Sequence, residues 1–149
     1  MNHEQIAAPA PRPCDADPYR LDAPSGIWAP SEYEKLIGYD APTAEQPKGL
    51  FLCHLSDPKS GRLRICAGWA GCHDGDHLLA LRLAVLEGQI SLETAETTRD
   101  YRSPVPLFGS GKEAAAHGMR DIEAPGDRAR RASEKIVRAR SDIAASMRE

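Results

Sequence analysis

The chain of 149 residues contains no apolar run approaching the roughly 18 residues that a membrane-spanning helix requires. Its start lacks the basic-then-apolar order of a secretory signal, so the reading is a cytoplasmic protein with no membrane partner. An excess of charge of one sign is missing too. The 19 basic and 22 acidic side chains give a net charge of −3, which argues against attachment to nucleic acid by bulk charge alone. No internal repeat is visible, and no Ser-His-Asp or paired-carboxylate set stands out by spacing. Gly109-Ser110-Gly111-Lys112 looks like the end of a phosphate loop, but Pro106 and Glu113 stand where that motif needs Gly and Ser or Thr. What is present is 41% hydrophobic residues and a mean hydropathy of −0.49, the composition of one globular domain with a modest core.

Residues 1–13 are rich in Ala and Pro and read as a flexible leader, with an ordered domain over residues 14–125. Ser31 and Glu34 have capping-box spacing and predict a short helix carrying Tyr33, Leu36 and Ile37 inward, stopping near Gly38. The apolar run Gly49–Leu55 and the segment Arg62–Cys66 flank the turn residues Asp57-Pro58-Lys59-Ser60-Gly61 and predict a β-hairpin that brings Cys53 toward Cys66. From Asp76 a leucine-rich stretch predicts a buried central helix, started by Asp74 or Asp76 and ended at Gly88. Residues 91–103 are polar and receive no element. Ser110 and Glu113 form a second capping box, opening a helix to about Met119. Ala129, Ala132, Ile136, Ile143 and Met147 trace one stripe of an amphipathic C-terminal helix over residues 126–149. The expected fold class is therefore α+β: a small single domain with a hairpin, a central helix and a C-terminal helix.

The four cysteines and five histidines are unevenly spread. Cys53-His54, Cys66, Cys72-His73 and His77 place six candidate ligands within 25 positions. In a reducing compartment, clustered cysteines serve metal binding or redox chemistry rather than disulfides, and thiolate and imidazole hold zinc or iron well. Cys14-Asp15-Ala16-Asp17 has the spacing of a Cys-x-x-Cys knuckle with a carboxylate in the second slot, which predicts a site of three cysteines and one aspartate. The competing reading is that these cysteines are small buried hydrophobes. His73 and His77 suit a surface or capping role better than ligation, and His3 and His117 have no evident partner. An iron–sulfur cluster is the alternative cofactor, weakened by the absence of a Cys-x-x-Cys before Cys66 and Cys72.

Pro13-Cys14-Asp15-Ala16-Asp17-Pro18-Tyr19-Arg20, Pro24-Ser25-Gly26-Ile27-Trp28, Glu32-Tyr33-Glu34-Lys35-Leu36, Phe51-Leu52-Cys53-His54, Cys66-Ala67-Gly68-Trp69 and Pro104-Val105-Pro106-Leu107-Phe108 together form a specific set. Over about residues 13–125 the chain resembles the DUF6283 proteins of actinobacteria and their phages. The resemblance implies a small protein with a Cys-x-x-Cys-Pro knuckle, a Cys-His pair and a Cys-Ala-Gly-Trp motif, fitting a zinc site, with no assigned activity. The matching positions are Cys14, Cys53 and Cys66. Asp17 departs from the pattern, which has a cysteine there, and leaves the fourth ligand open among Asp17, Cys72, His54 and His73.

The first functional expectation is a non-enzymatic, zinc-stabilised interaction or regulatory module with a protein partner. The alternative is a metal- or thiol-dependent enzyme or an iron–sulfur redox protein. Residues 127–149 carry a local charge of +3, so nucleic acid is a third candidate partner, through the C-terminal helix. A solvated basic face accounts for the same charge more simply.

Overall fold

The computed structural model describes residues 6–53 and 63–139. The expectation of an α+β fold is overturned. Among these residues there are six α-helices, α1 Pro30–Gly38, α2 Ala67–Cys72, α3 Leu79–Leu86, α4 Leu92–Arg99, α5 Gly111–Met119 and α6 Asp127–Ala139, and no strand, sheet or hairpin. The two segments read as hairpin strands do meet antiparallel. The Cys53 N–H donates to the Arg64 carbonyl at 2.8 Å and the Cys66 N–H to the Phe51 carbonyl at 2.9 Å, around one isolated Leu52–Ile65 bridge. The pairing goes no further toward α2 because Cys66 is already its N-cap. A short apolar run has no period that separates a strand from any other buried extended segment, which is why the reading failed. The remainder of the proposed hairpin, including His54 and the turn, lies outside the described residues.

Residues 6–13, read as a leader, lie against this pair. Ala7 exchanges hydrogen bonds with Leu63 and Ile65 at 2.9 and 3.0 Å, and Tyr101 Oη donates to the Pro11 carbonyl at 3.0 Å. Pro13 is fully buried.

The helices start and stop for local reasons that the sequence only partly showed. α1 begins one residue before Ser31, on Pro30, whose fixed φ suits the first helical position; no side chain caps it. It buries Tyr33 and Leu36 but leaves Ile37 exposed. The predicted start of the central helix is instead a single 3₁₀ turn, Gly75–His77, capped by Asp74, and α3 follows it. At its end, the Gly88 N–H reaches the Val85 carbonyl and the Gln89 N–H the Ala84 carbonyl. That is a Schellman closure, with Gly88 at φ +76° supplying the left-handed residue. α3 buries Ala80, Leu81 and Ala84 while Leu86 is 81% exposed, so it is amphipathic rather than central. α4 occupies the stretch left without an element. Ser91 caps it through the Thr94 N–H at 3.0 Å, with Glu93 in its first turn and Arg99 in its last.

α5 keeps the Ser110 cap, with the Glu113 N–H donating to Ser110 Oγ at 3.1 Å. Asp40, just past α1, adds a second one, accepting from the Gly111 and Lys112 N–H groups at 2.8 Å each. α1 and α5 pack closely because Gly118 lacks a Cβ, which would overlap the Tyr33 ring. Between the helices lies an aromatic core in which Tyr39 stands edge-on to Trp69 and Phe51, at 5.4 and 5.9 Å between ring centres, and Tyr19 edge-on to Phe51 at 5.9 Å. α6 lies over residues 15–24, burying Ala129 and Ile136. Ile143 and Met147 lie outside the described residues.

Urea unfolding should show Gly118→Ala losing about 1–3 kcal/mol from overpacking against Tyr33. Gly88→Ala should lose about 1–2 kcal/mol from its left-handed backbone, and Leu86→Ala no more than about 0.5 kcal/mol. Equal losses in all three would contradict this packing.

Candidate metal centre

Residues 14–23 form successive tight turns, with the Asp17 N–H on the Cys14 carbonyl, the Arg20 N–H on the Asp17 carbonyl and the Ala23 N–H on the Arg20 carbonyl. These turns carry the Asp17 side chain into the interior, where it is 3% exposed. Asp17 Oδ1 accepts from the Tyr19 N–H at 2.9 Å. Asp17 Oδ2 accepts from the Gly68 N–H at 2.9 Å and from the Cys66 thiol at 3.2 Å. The carboxylate thus satisfies an N–H in the first turn of α2, a helix that begins without a side-chain cap of its own. Gly68 makes this approach feasible, since a Cβ there would overlap the carboxylate itself.

Cys14 and Cys53 are hydrogen-bonded to each other, and the electrostatic influence of Cys66 and Asp17 reaches Cys14. Three thiols and a carboxylate from three separate segments therefore converge. They stand as two pairs, Cys14 with Cys53 and Cys66 with Asp17. Among the described residues no group of three or more His, Cys, Asp and Glu side chains is arranged as it stands to hold a metal ion. The electrostatics favour the protonated form of Cys14 and Cys66. The hydrogen bond to Cys53 and burial push Cys14 upward, and burial followed by the Asp17 charge does the same to Cys66. Burial also raises Asp17 above the usual carboxylate range, against the lowering effect of its hydrogen bonds.

Cys72 is separated from this group. It sits at the far end of α2 from Cys66, on the order of 9 Å along the axis at the α-helical rise. It lines a cleft of about 850 Å³ together with His73, His77, Asp40 and Lys112. Burial and then the Asp40 charge push Cys72 up to about 12. The His73 ring lies 3.4 Å from Tyr19 Oη through Nε2 and 4.0 Å from Asp40 through Nδ1. His77 is exposed beside Asp74, and His117 Nε2 lies hydrogen-bonded to the Ala23 carbonyl. His54 is outside the described residues. The reading of the residues gave no role to Tyr19, whose N–H serves Asp17 and whose hydroxyl serves His73, or to Gly68. Both lie inside the motif runs Asp17-Pro18-Tyr19-Arg20 and Cys66-Ala67-Gly68-Trp69, so their signal was present without a chemical label.

A family model, that of a family of unknown function (DUF6283), matches residues 9–140. The chain belongs to the DUF6283 family. The match reaches beyond both ends of the motif set, taking in the prolines before Cys14 and the whole of α6. No curated protein and no solved structure matches the chain. In this DUF6283 member, no described helix is long and apolar enough to cross a membrane.

Burial holds His73 below its ordinary 6.5, partly offset by Asp40. The unfolded chain therefore takes up a proton near that value before the folded one does. The stability that neutral His73 contributes is complete above about pH 6.5 and is lost as pH falls. Unfolding free energy measured from pH 7 to 5 should decline less steeply in His73→Gln than in the parent. An unchanged slope would assign the acid loss to other groups.

Proposed function

We propose that this chain is a small zinc-binding, non-enzymatic interaction module of the cytoplasm, with Cys14, Cys53, Cys66 and Asp17 as the ligands. The observation that carries the reading is the burial of Asp17 among thiols drawn from three segments of the chain. Three sulfurs and one carboxylate oxygen fit zinc's preference for four ligands and leave no open position, as in structural rather than catalytic sites. When bound, zinc supplies charge compensation, and a coordinated thiol gives up its proton. The two hydrogen-bonded pairs must then rearrange into one set. Cys14 and Asp17 tie down the turn, Cys53 the extended segment and Cys66 the start of α2, so metal affinity becomes folding energy.

The same electrostatics speak against a thiol enzyme, which needs a cysteine of lowered pKa; Cys14, Cys66 and Cys72 are all raised. The cleft holding Cys72, His73 and Asp40 is the observation that favours the enzymatic alternative. We extend the proposal to a regulatory role acting on a protein complex, a role that suits a closed site shaping a surface without turning over a substrate.

Protein purified without added metal should carry about one equivalent of zinc per chain and stay colourless, as measured by elemental analysis and absorbance. Chelator competition should show zinc released far more readily from Cys66→Ala and Asp17→Ala, held as firmly or more so by Asp17→Cys, and unchanged in Cys72→Ala. A brown, iron-bearing preparation, or equal release from all variants, would reject the assignment.

A further inference from the structure

Between α6 and the turns of residues 15–24 lies a second cavity, of about 300 Å³, apart from the thiol group. Its α6 wall carries Arg128, Arg131 and Lys135, spaced three and four apart and so on one helical face. The opposite wall carries Asp15, Arg20 and Asp22. Arg20 and Asp22 are committed to each other, with Nε donating to Oδ1 at 2.7 Å and Nη2 to Oδ2 at 2.8 Å. Arg20 Nη1 is held by the Pro13 carbonyl at 3.0 Å and lies 3.5 Å from Asp15. This leaves two of the three α6 cations without a partner on that wall. Arg131 and Lys135 have no acceptor or ion-pair partner among the described residues, although two carboxylates line the same cavity. Arg128 is anchored by Nη2 to the Asp22 carbonyl at 2.9 Å, which fixes its guanidinium at the rim.

From this arrangement we infer that the cavity is a binding site for a phosphate monoester. Two uncompensated cations beside an anchored guanidinium match a dianion with three acceptor oxygens, the chemistry that Arg and Lys serve best together. Pro24, Ala132 and Ile136 give the cavity an apolar side for a compact organic group, and its volume sits at the small end of ligand sites. α6 is held in place by the burial of Ala129 and Ile136, so the cations are carried on a packed element. Neither the thiols nor Asp17 line the cavity, and the test reads phosphate binding rather than metal content.

The full chain at low salt is titrated with inorganic phosphate and with adenosine monophosphate by calorimetry, and with a labelled single-stranded oligonucleotide by fluorescence anisotropy. The monophosphate should bind, with inorganic phosphate competing for it. The double variant Arg131→Glu with Lys135→Glu should weaken binding at least about tenfold. Arg130→Glu, on the same helix but paired with Asp127 at 3.5 Å and outside the cavity, should change it by less than about twofold. Melting temperatures of both variants are compared with the parent to confirm that α6 stays docked. Equal loss in Arg130→Glu would mean a diffuse basic helix and overturn the site. Oligonucleotide binding without monophosphate binding would overturn the monoester assignment in favour of a nucleic-acid backbone. No binding of either probe at millimolar concentration, or equal binding of polyglutamate, would overturn the phosphate assignment.

Discussion

The burial of one carboxylate organises this fold. An unpaired charge taken from water costs several kcal/mol or more, and Asp17 sits at 3% exposure. Three donors offset that cost: the Tyr19 and Gly68 N–H groups and the Cys66 thiol. They fix three things at once, namely the path of the turn, the start of α2 and the orientation of a cysteine. The offset is incomplete, since burial still raises Asp17. The Arg20 charge already lowers Asp17 in part; a cation bound directly at the carboxylate would complete the offset, and the thiols beside it are the donors that a soft cation prefers.

Around that point, the molecule is built from short helices that could not stand by themselves. The longest described one, α6, has 13 residues and α2 has six, so their stability comes from packing rather than propensity. Small residues and local caps do much of the joining. Gly118 admits the Tyr33 ring, and Asp40 closes the start of α5 from outside that helix. The core joins the rings of Tyr19, Tyr39, Phe51 and Trp69 to the buried aliphatic chains of Leu36, Ile65, Leu78 and Ile90 in the space between the elements.

What could be read in the sequence was whatever depends on neighbours along the chain. Ser110 with Glu113 marked a helix start, Gly88 a helix end, and the stripe through Ala129 and Ile136 a packed face, since each signal is complete within a few residues. The apolar run 49–55 was ambiguous because its partner segment, residues 64–66, is fixed by tertiary contact. α2 was missed because two glycines in Ala67–Cys72 argue against a helix; Gly68 is there for the carboxylate, which no local pattern reveals. α4 went unread because Ser91 caps it within a polar stretch lacking an apolar stripe. In the candidate site, the residue types of Cys14, Asp17, Cys53 and Cys66 were legible. The separation of Cys72 from them was not, for it follows from the direction of α2.

The bond from the Gly68 N–H to Asp17 spans 51 positions, and this bears on the order of events during folding. A six-residue helix containing two glycines cannot nucleate alone. α2 therefore waits for the loop between residues 17 and 68 to close, and it forms as a product of that closure. A chain that is helical in content then folds at the pace of its distant contacts, more slowly than its helices would suggest. Until closure, Trp69 and the thiols of residues 14, 53 and 66 remain open to solvent. This is the interval in which the nascent chain is most exposed to oxidation and to aggregation.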